Sequence, residues 1–501
     1  MKPSPLSLTG IKNKSIQNMR DIDRETNEKG SQSRGDEVMM ACSGSEAIGN
    51  DATTSEAESF PLEKPLDAEE LSIRHTKHSF FDSHLKTTRA ALGKKSVLTL
   101  IILLVFMFSV FSIYWGSMYE RNTRLVNLQF GVILEDDTEN SYISNLVNQT
   151  VHSGRFPQLA TWNVFTHEQY LDGEDGDAYE KLDTAIYHEK YWAGIYVNNT
   201  ATSQLISAYQ NGDSSFNTTA TLLFTIYETG RDLTGVSQYV LPTLLRFQEE
   251  VSIRVAEAVN KPIVENHISN VAQQEALIES GLIFKQLSFN TIDRRPSTSP
   301  VIAAPQQVGL IFMIIITFFQ FAFFGPVHGA AAQVLKPSHY LVYRAIFSQV
   351  VYLFLSLAYS LITRAFQVDL NRAFSGGLGV YWMVNYLTMA AVGGANENVA
   401  IIATAFFPPL MAIWLMTWVI LNISATFSPI ILCPGVFKVT YGLPVYNSYS
   451  IARVILFNTW KGNLGKHFGI LVAWLVVNNI ILPFALTAAG KQMKKNSPAA
   501  N

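Results

Sequence analysis

The chain has 501 residues and a formal net charge of −3 at pH 7, with 37 basic and 40 acidic residues. This balance excludes a global basic field for nucleic acid, so we expect no nucleic-acid partner. Apolar residues make up 48% of the chain and charged residues 15%, which is unusual for one large soluble core and typical of a partly membrane-embedded protein. The two cysteines, Cys42 and Cys433, are far apart and predict neither a disulfide framework nor a metal site.

The first 94 residues are rich in polar and charged side chains. Such a segment cannot bury enough apolar surface to offset its ordering entropy, so residues 1–94 are predicted to be a disordered cytoplasmic tail. The stretch "SVLTLIILLVFMFSVFSIYWGSM" then runs from Ser96 to Met118 without a charge, and it predicts a first membrane span at 95–116. Basic residues precede the span, so the positive-inside rule predicts a cytoplasmic amino terminus.

A polar region follows at 117–304, with β-type patches such as "YWAGIYVNN" and "ATLLFTIYE" and a later stretch of helical spacing. These patterns predict a large extracytoplasmic domain of mixed α/β structure. Three Asn-X-Thr patterns, at Asn148, Asn198 and Asn217, are candidate N-glycosylation sites consistent with that placement. The acidic stretches "LEDDTEN" and "LDGEDGDAYE" are interpreted as solvated loops, because the second lacks the ligand spacing of a calcium site.

Apolar density returns at 305–490, where we predict a bundle of about five further spans, followed by a cytoplasmic tail at 491–501. Together with the first span this is an α-helical polytopic membrane protein of about six spans. The predicted spans are 308–325, 341–362, 378–394, 399–423 and 468–489.

Two polar features of the bundle decide its layout. The sequence "GGANENVA" is interpreted as a cytoplasmic turn between two spans, where the Glu397 carboxylate is hydrated; the alternative is a Glu397 buried at membrane depth, where ionisable groups are expensive and usually functional. Pro408 and Pro409 are expected to kink the fifth predicted span.

The segment 424–466 carries more positive charge than an external loop prefers, so it either re-enters the membrane or one span is miscounted. Within it, "YGLPVYNSYSIARVILFNTWKG" has the spacing of an amphipathic helix, with Asn447, Ser450 and Arg453 along one side. We interpret it as an interfacial helix whose Arg453 reaches lipid phosphates; the alternative is a polar stripe that lines a path between spans.

Three stretches together resemble a known family. They are "YWGSMYERNTRLVNLQFGVILEDD", "VYWMVNYLTMAAVGGANENVAIIATAFFPP" and "LPVYNSYSIARVILFNTWKGNLGKHFGIL". In sequence and order they resemble the fungal nitrosoguanidine-resistance membrane protein family over about residues 95–490. The resemblance implies a plasma-membrane protein tied to resistance against toxic compounds, with a layout similar to the permease halves of certain ABC exporters. It defines no catalytic residue, and its motif gives the candidate functional residues Pro444, Tyr446, Asn447 and Arg453, to which Glu397 is added from its chemistry.

The expected function is therefore that of a transporter-like protein that moves amphiphiles or alters lipid distribution. The alternative is a non-transporting regulator or scaffold of other transporters or of phospholipid asymmetry. The chain has no phosphate-binding loop with the required glycine, lysine and hydroxyl spacing, so ATP-driven activity would need a partner ATPase. We expect membrane lipids and a small amphiphilic substrate as partners, no cofactor, and no enzymatic activity.

Overall fold

The computed structural model describes residues 79–136, 141–173, 175–219, 221–424, 426–427 and 429–496. Its first long helix, α1 (Lys86–Met118), contains the first predicted span, and of its residues Val110 and Ser117 are buried. The helix starts at Lys86, so residues 86–94 of the predicted tail are helical. Residues 1–78 of the first predicted tail and 497–501 of the second lie outside the described part of the chain, whereas residues 491–495 of the second are helical.

A five-stranded sheet follows α1. Its strands are β1 (Gln129–Leu134), β2 (Thr161–Thr166), β3 (Ala193–Val197), β4 (Leu223–Tyr227) and β5 (Asn290–Asp293). They lie in the order β2-β1-β3-β4-β5, and each neighbouring pair is parallel except the antiparallel pair β3 and β4. The two apolar patches that predicted strands form β3 and β4. The side of the membrane on which this sheet lies stays a prediction.

Helices cover the sheet. They are α2 (Tyr142–Val151), α3 (Phe156–Leu159), α4 (His167–Leu171), α5 (Ala178–Tyr187), α6 (Ala201–Asn211), α7 (Leu233–Gly235), α8 (Leu241–Val255), α9 (Lys261–His267) and α10 (Val271–Ser280). α5 lies against the sheet where Gly131 and Gly194 pair in register. A Cβ at either glycine would come within 3 Å of the Leu182 side chain, so the close approach of α5 depends on both.

The acidic stretch after β1 is a correction to the sequence interpretation. Glu135 and Asp136 are buried rather than solvated, at 6% and 5% exposure. Tyr196 donates to the Glu135 carboxylate, and the Thr202 backbone N–H donates to Asp136 Oδ1 at 3.1 Å. The polar partners on neighbouring elements allow these carboxylates to sit at the edge of the sheet. Residues 137–140 of this stretch lie outside the described residues.

The remaining helices form a bundle. They are α11 (Gly309–Phe323), α12 (Gly325–Val334), α13 (Pro337–Ala365), α14 (Gly377–Phe406), α15 (Leu410–Ile423), α16 (Pro444–Phe457) and α17 (Leu464–Lys495). Four described stretches are long and apolar enough to cross a membrane: Lys86–Met118, Pro300–Phe323, Pro337–Ala365 and Leu464–Lys495. The first, second, third and last predicted spans overlap these four. The chain is therefore a helical, multi-pass membrane protein, whereas the total of six spans stays a prediction.

The predicted break around Glu397 is wrong. α14 continues through "GGANENVA" as one helix of 30 residues, about 45 Å long. Most of its residues are buried, which identifies it as the central helix of the bundle. Pro408 and Pro409 do not kink a span, because they lie in the turn between α14 and α15.

Candidate functional site

The buried face of α13 is polar along its whole length. The buried residues of this helix are Arg344, Ser348, Tyr352, Ser356, Ser360 and Thr363. We call these six residues the polar stripe. Their spacing of four, closed by a spacing of three, places them on one side of a helix. From Arg344 to Thr363 the stripe is about 28 Å long, close to the roughly 30 Å thickness of a hydrocarbon core.

The opposite face of α13 is apolar and exposed. Val342, Ile346, Val350, Phe354 and Leu361 are each 45% to 64% exposed. This distribution is the inverse of a soluble helix, and it suits a helix that presents its apolar face to lipid and its polar face to the bundle interior.

Two serine hydroxyls of the stripe donate to backbone carbonyls of the same helix. Ser356 Oγ donates to the Leu353 carbonyl at 2.9 Å, and Ser360 Oγ donates to the Ser356 carbonyl at 2.8 Å. From α14, Asn385 Nδ2 donates to Ser360 Oγ at 2.9 Å. Small hydroxyl residues also allow close helix contact in membranes, but Arg344 and Tyr352 are too large for that role.

One end of the stripe carries an ion pair. Arg344 Nε donates to Glu397 Oε1 at 3.1 Å, and Arg344 Nη2 donates to the same oxygen. The two side chains are 4% and 5% exposed. The preferred interpretation of Glu397 as a residue of a hydrated turn is thus wrong: the side chain is buried, and its depth in the membrane stays a prediction. Its burial is tolerated because an opposite charge faces it across the α13–α14 contact.

The neighbours of Glu397 connect α14 to three other helices. Asn396 Nδ2 donates to the Ile314 carbonyl of α11 at 2.9 Å, and Trp414 Nε1 of α15 donates to Asn396 Oδ1 at 3.0 Å. Asn398 Nδ2 donates to the Asn478 carbonyl of α17 at 3.0 Å. Successive helical residues point about 100° apart, so Asn396, Glu397 and Asn398 face different neighbours.

A small polar cavity lies beside the ion pair. Its volume is about 10 Å³, enough for about one water molecule. Ser348, Gln349, Glu397, Asn398 and Asn478 contribute to its wall. Ser348 Oγ and Asn398 Oδ1 are buried and find no hydrogen-bond partner among the described residues, so the cavity can accept a further polar group.

A larger apolar groove runs along the flank of the same helix, between α11 and α13. Its volume is about 770 Å³, within the range of about 300–1,000 Å³ that is common for ligand sites. Phe312 and Phe319 line it from α11, and Leu355, Ala358 and Ile362 line it from α13. Phe312 is 59% and Ile362 is 59% exposed, so the groove opens to the surface of the bundle. Thr363 also lines this groove, which joins it to the polar stripe.

The helix around Arg453 differs from its prediction. In α16 every residue except Tyr446 and Arg453 is buried, so an interfacial helix with one hydrated face is wrong. Arg453 Nη1 donates to the Arg231 carbonyl, and Arg453 Nη2 lies 3.4 Å from Glu189 Oε1. Arg453 therefore contacts the sheet region rather than lipid phosphates.

Further charges meet at this junction between the sheet region and α16. Arg295 pairs with the buried Glu228 and donates from Nε to the Asn458 carbonyl at 2.8 Å. Burial raises the pKa of Glu228 to about 7, although Arg295 and Arg231 oppose the shift. Burial likewise lowers the pKa of Arg231 to about 10. The junction is a charged contact that fixes the sheet region to the bundle.

The other motif residues have local partners. Pro444 occupies the first position of α16, where its missing N–H costs nothing. Asn447 Nδ2 donates to the Tyr441 and Leu443 carbonyls at 2.9 and 2.8 Å, so its Oδ1 accepts from His467 Nδ1 at 2.7 Å. The Tyr446 ring lies 6.2 Å from the His467 ring. Asn447 and Tyr446 thus lie at the α16–α17 contact, and none of the three motif residues belongs to the polar stripe.

Comparison with known proteins places the chain in a family. Residues 99–480 match the model of the family described as "Protein of unknown function (DUF3533)". The chain belongs to this family. It is also similar to an uncharacterized endoplasmic reticulum membrane protein of Saccharomyces cerevisiae, with 29% identity over 432 residues that cover 84% of each chain. No solved structure matches the chain significantly.

Membership of the DUF3533 family carries no assigned function, so the link to nitrosoguanidine resistance stays a prediction from resemblance. The match covers the polar stripe, the ion pair and the groove. The yeast relative is named as a membrane protein, in agreement with the apolar helices described above.

The polar stripe was missed by sequence reasoning. Its signal was present: Ser348, Tyr352, Ser356 and Ser360 recur every four residues inside an apolar span. The predicted span at 341–362 was assigned from its apolar character as a whole, which hid the period.

The three candidate glycosylation residues lie in the sheet region. Asn148 and Asn217 are exposed, whereas Asn198 is partly buried and donates from Nδ2 to the Thr221 carbonyl at 3.0 Å. Their modification stays a prediction.

Proposed function

We propose that the protein moves lipid-like amphiphiles between the two leaflets of a membrane, with their polar headgroups along the polar stripe and their chains in the apolar groove. The observation that carries this proposal is the inverted face of α13, whose buried residues are all polar. A headgroup that crosses the membrane needs polar contacts over the full hydrocarbon thickness, and the stripe is long enough to supply them.

The apolar groove supports the same function. It lies on the flank of the helix that carries the stripe, and its walls are almost wholly apolar side chains of α11 and α13. An acyl chain or the apolar part of a toxic amphiphile fits these walls. The closed α13–α14 contact implies that transfer includes a separation of these two helices.

The test uses liposomes that contain only the purified chain and a fluorescent phospholipid. The triple variant Ser348→Ala, Ser356→Ala and Ser360→Ala removes three hydroxyls of the stripe without adding volume. We expect leaflet transfer well above protein-free liposomes for the native chain, and a loss of at least about tenfold for the variant. Ser338→Ala changes an exposed serine of the same helix and serves as control. Absence of transfer by folded native protein would overturn the proposal.

The groove is tested separately. Ala358 lines the groove and is exposed, so Ala358→Trp fills it without entering the bundle core. Leu361→Trp places the same side chain on an exposed position outside the groove wall. We expect slower transfer for Ala358→Trp and unchanged transfer for Leu361→Trp. Equal rates for the two variants would remove the groove from the path.

A second candidate function is that of a non-transporting regulator, and the charged junction favours it. Arg453 and Arg295 tie the sheet region to α16, so a partner bound to the sheet could act on the bundle. In this case the purified chain moves no lipid, and resistance in cells is lost when the sheet region is deleted.

We also propose that the protein resides in the plasma membrane with its amino terminus in the cytoplasm and supports resistance to compounds such as nitrosoguanidine. The basic residues Lys86, Arg89, Lys94 and Lys95, which precede the apolar part of α1, support this orientation. Fluorescence localisation of the tagged full chain tests the compartment. The yeast relative is named as an endoplasmic reticulum membrane protein, and the same location for this chain would overturn the plasma-membrane proposal.

A further inference from the structure

The ion pair of the stripe suggests which headgroups pass. Between Gly309 and Ile423 the sequence has two acidic residues, Asp369 and Glu397. Asp369 lies outside the helices and is exposed, whereas Glu397 is a buried residue of α14. The stripe therefore contains one cation, Arg344, which is paired with one anion of α14, Glu397.

Each side of the ion pair also has contacts outside the pair. Arg344 Nη1 donates to the Tyr340 hydroxyl at 3.4 Å, and its guanidinium lies 5.7 Å from the centre of the Phe321 ring. Glu397 is fixed by its place in α14 between Asn396 and Asn398, which bond to other helices. Each side chain therefore has surroundings that remain when its partner is replaced by a ligand group.

This arrangement suits a zwitterion. A phosphate can replace the carboxylate at Arg344, because guanidinium binds phosphate through paired hydrogen bonds. A quaternary or primary ammonium can replace the guanidinium at Glu397. The exchange leaves no net charge buried, which avoids the large desolvation cost of an unpaired ion.

An anionic headgroup satisfies only half of this exchange. Its phosphate can take Arg344, but Glu397 is then left buried without a cation and beside a second negative charge. Such an unpaired buried charge is strongly unfavourable. We propose, on the basis of the transfer function above, that the Arg344–Glu397 pair selects zwitterionic over anionic phospholipid headgroups.

A small polar cavity adjoins the pair. It holds about 10 Å³ and is bounded by Ser348 and Asn398, whose buried oxygens have no partner among the residues described. A headgroup at the pair would find polar contacts already in place there.

The experiment compares phosphatidylcholine with phosphatidylglycerol in liposomes that contain the purified full chain. Both lipids carry the fluorophore on the same acyl chain, so that the headgroups stay native. We expect phosphatidylcholine to cross at least about tenfold faster. Equal rates well above those of protein-free liposomes would overturn the selection and leave the transfer function standing, whereas no transfer of either lipid would overturn both.

Variants assign the selection to the pair. Glu397→Gln leaves Arg344 as the lone charge, so we expect the preference for phosphatidylcholine to fall to about one or to reverse. The exchange of both charges, Arg344→Glu with Glu397→Arg, restores a neutral pair and should restore the preference. Arg364→Gln, on an exposed arginine of the same helix, is the control with unchanged preference. A preference that persists in folded Glu397→Gln would contradict the assignment.

Discussion

Arg344 and Glu397 each compensate the buried charge of the other. Removal of one partner leaves the other charge buried, which costs about 3–5 kcal/mol, whereas replacement of both by apolar residues of similar size is much less harmful. We therefore expect Glu397→Leu to lower the apparent Tm strongly and Arg344→Met with Glu397→Leu to recover most of the loss. Thermal unfolding of the detergent-solubilised variants measures this. A double variant as unstable as the sum of the singles would show that the two residues act independently.

Glu228 gives a prediction on pH at the same scale. Burial raises the pKa of its carboxyl from 4.5 to about 7. The charges of Arg295 and Arg231 lower this pKa, whereas those of Asp183 and Glu189 raise it further. Between these two values the folded state binds more protons than the unfolded state, so stability falls as the pH rises through this window. The shift corresponds to up to about 3 kcal/mol.

The Glu228→Gln variant cannot titrate at this position. The difference in apparent Tm between the native chain and this variant should therefore move against the native chain from about pH 5 to pH 7.5. Parallel curves for the two proteins over this range would show that Glu228 does not change its protonation on folding.

At the scale of the element, the contact between α13 and α14 depends on a glycine. A Cβ at Gly393 would lie 2.6 Å from the Tyr352 ring, so Gly393→Ala forces the two helices apart and should destabilise the protein by about 1–3 kcal/mol. Gly379→Ala on the same helix is the matched control, because its Cβ would meet no atom within 4 Å and alanine favours helix. The two variants are compared by thermal unfolding, and equal Tm values would contradict the close contact.

Movement of α13 away from α14 can also be blocked. Ser360 and Asn385 are hydrogen-bonded across this contact, so Ser360→Cys with Asn385→Cys should allow an oxidative cross-link that stops lipid transfer until it is reduced. The control is Thr388→Cys with Ser448→Cys, which links α14 to α16. The two native hydroxyl oxygens lie 2.7 Å apart, and this cross-link should leave transfer intact. Mass spectrometry establishes the cross-links. Undiminished transfer in the oxidised first variant would remove helix separation from the mechanism.

Apolar stretches of about twenty residues can be recognised in a sequence. For this reason the predicted spans overlap α1, α11, α13 and α17. The break predicted at Glu397 failed for a physical reason. Three consecutive polar residues buried in a helix bundle are unfavourable unless each finds a partner, and the partners Ile314, Arg344 and Asn478 come from other parts of the chain. The same applies to Arg453, whose partners Glu189 and Arg231 lie more than 200 residues earlier. Local pattern shows a polar residue but not what will satisfy it.

At the scale of the whole molecule, the side of the membrane that holds the sheet can be tested by glycosylation. With a cytoplasmic amino terminus, Asn148 and Asn217 are exposed to the glycosylation machinery, whereas Asn198 uses its amide in a hydrogen bond. We expect a glycosidase to reduce the mass of the full chain, and Asn217→Gln and Asn148→Gln to remove most of that shift. An unchanged mass after treatment would argue that the sheet lies in the cytoplasm.

The contacts that Asn396, Glu397 and Asn398 make with three neighbouring helices restrict insertions and deletions in α14. One residue inserted upstream in α14 would turn all three side chains by about 100° and misdirect them together, which no single substitution does. Substitutions elsewhere on α14 can be absorbed one at a time, but its length between Gly377 and Asn396 is constrained as a whole. Members of the family should therefore differ in the amino acids of this segment far more than in its length.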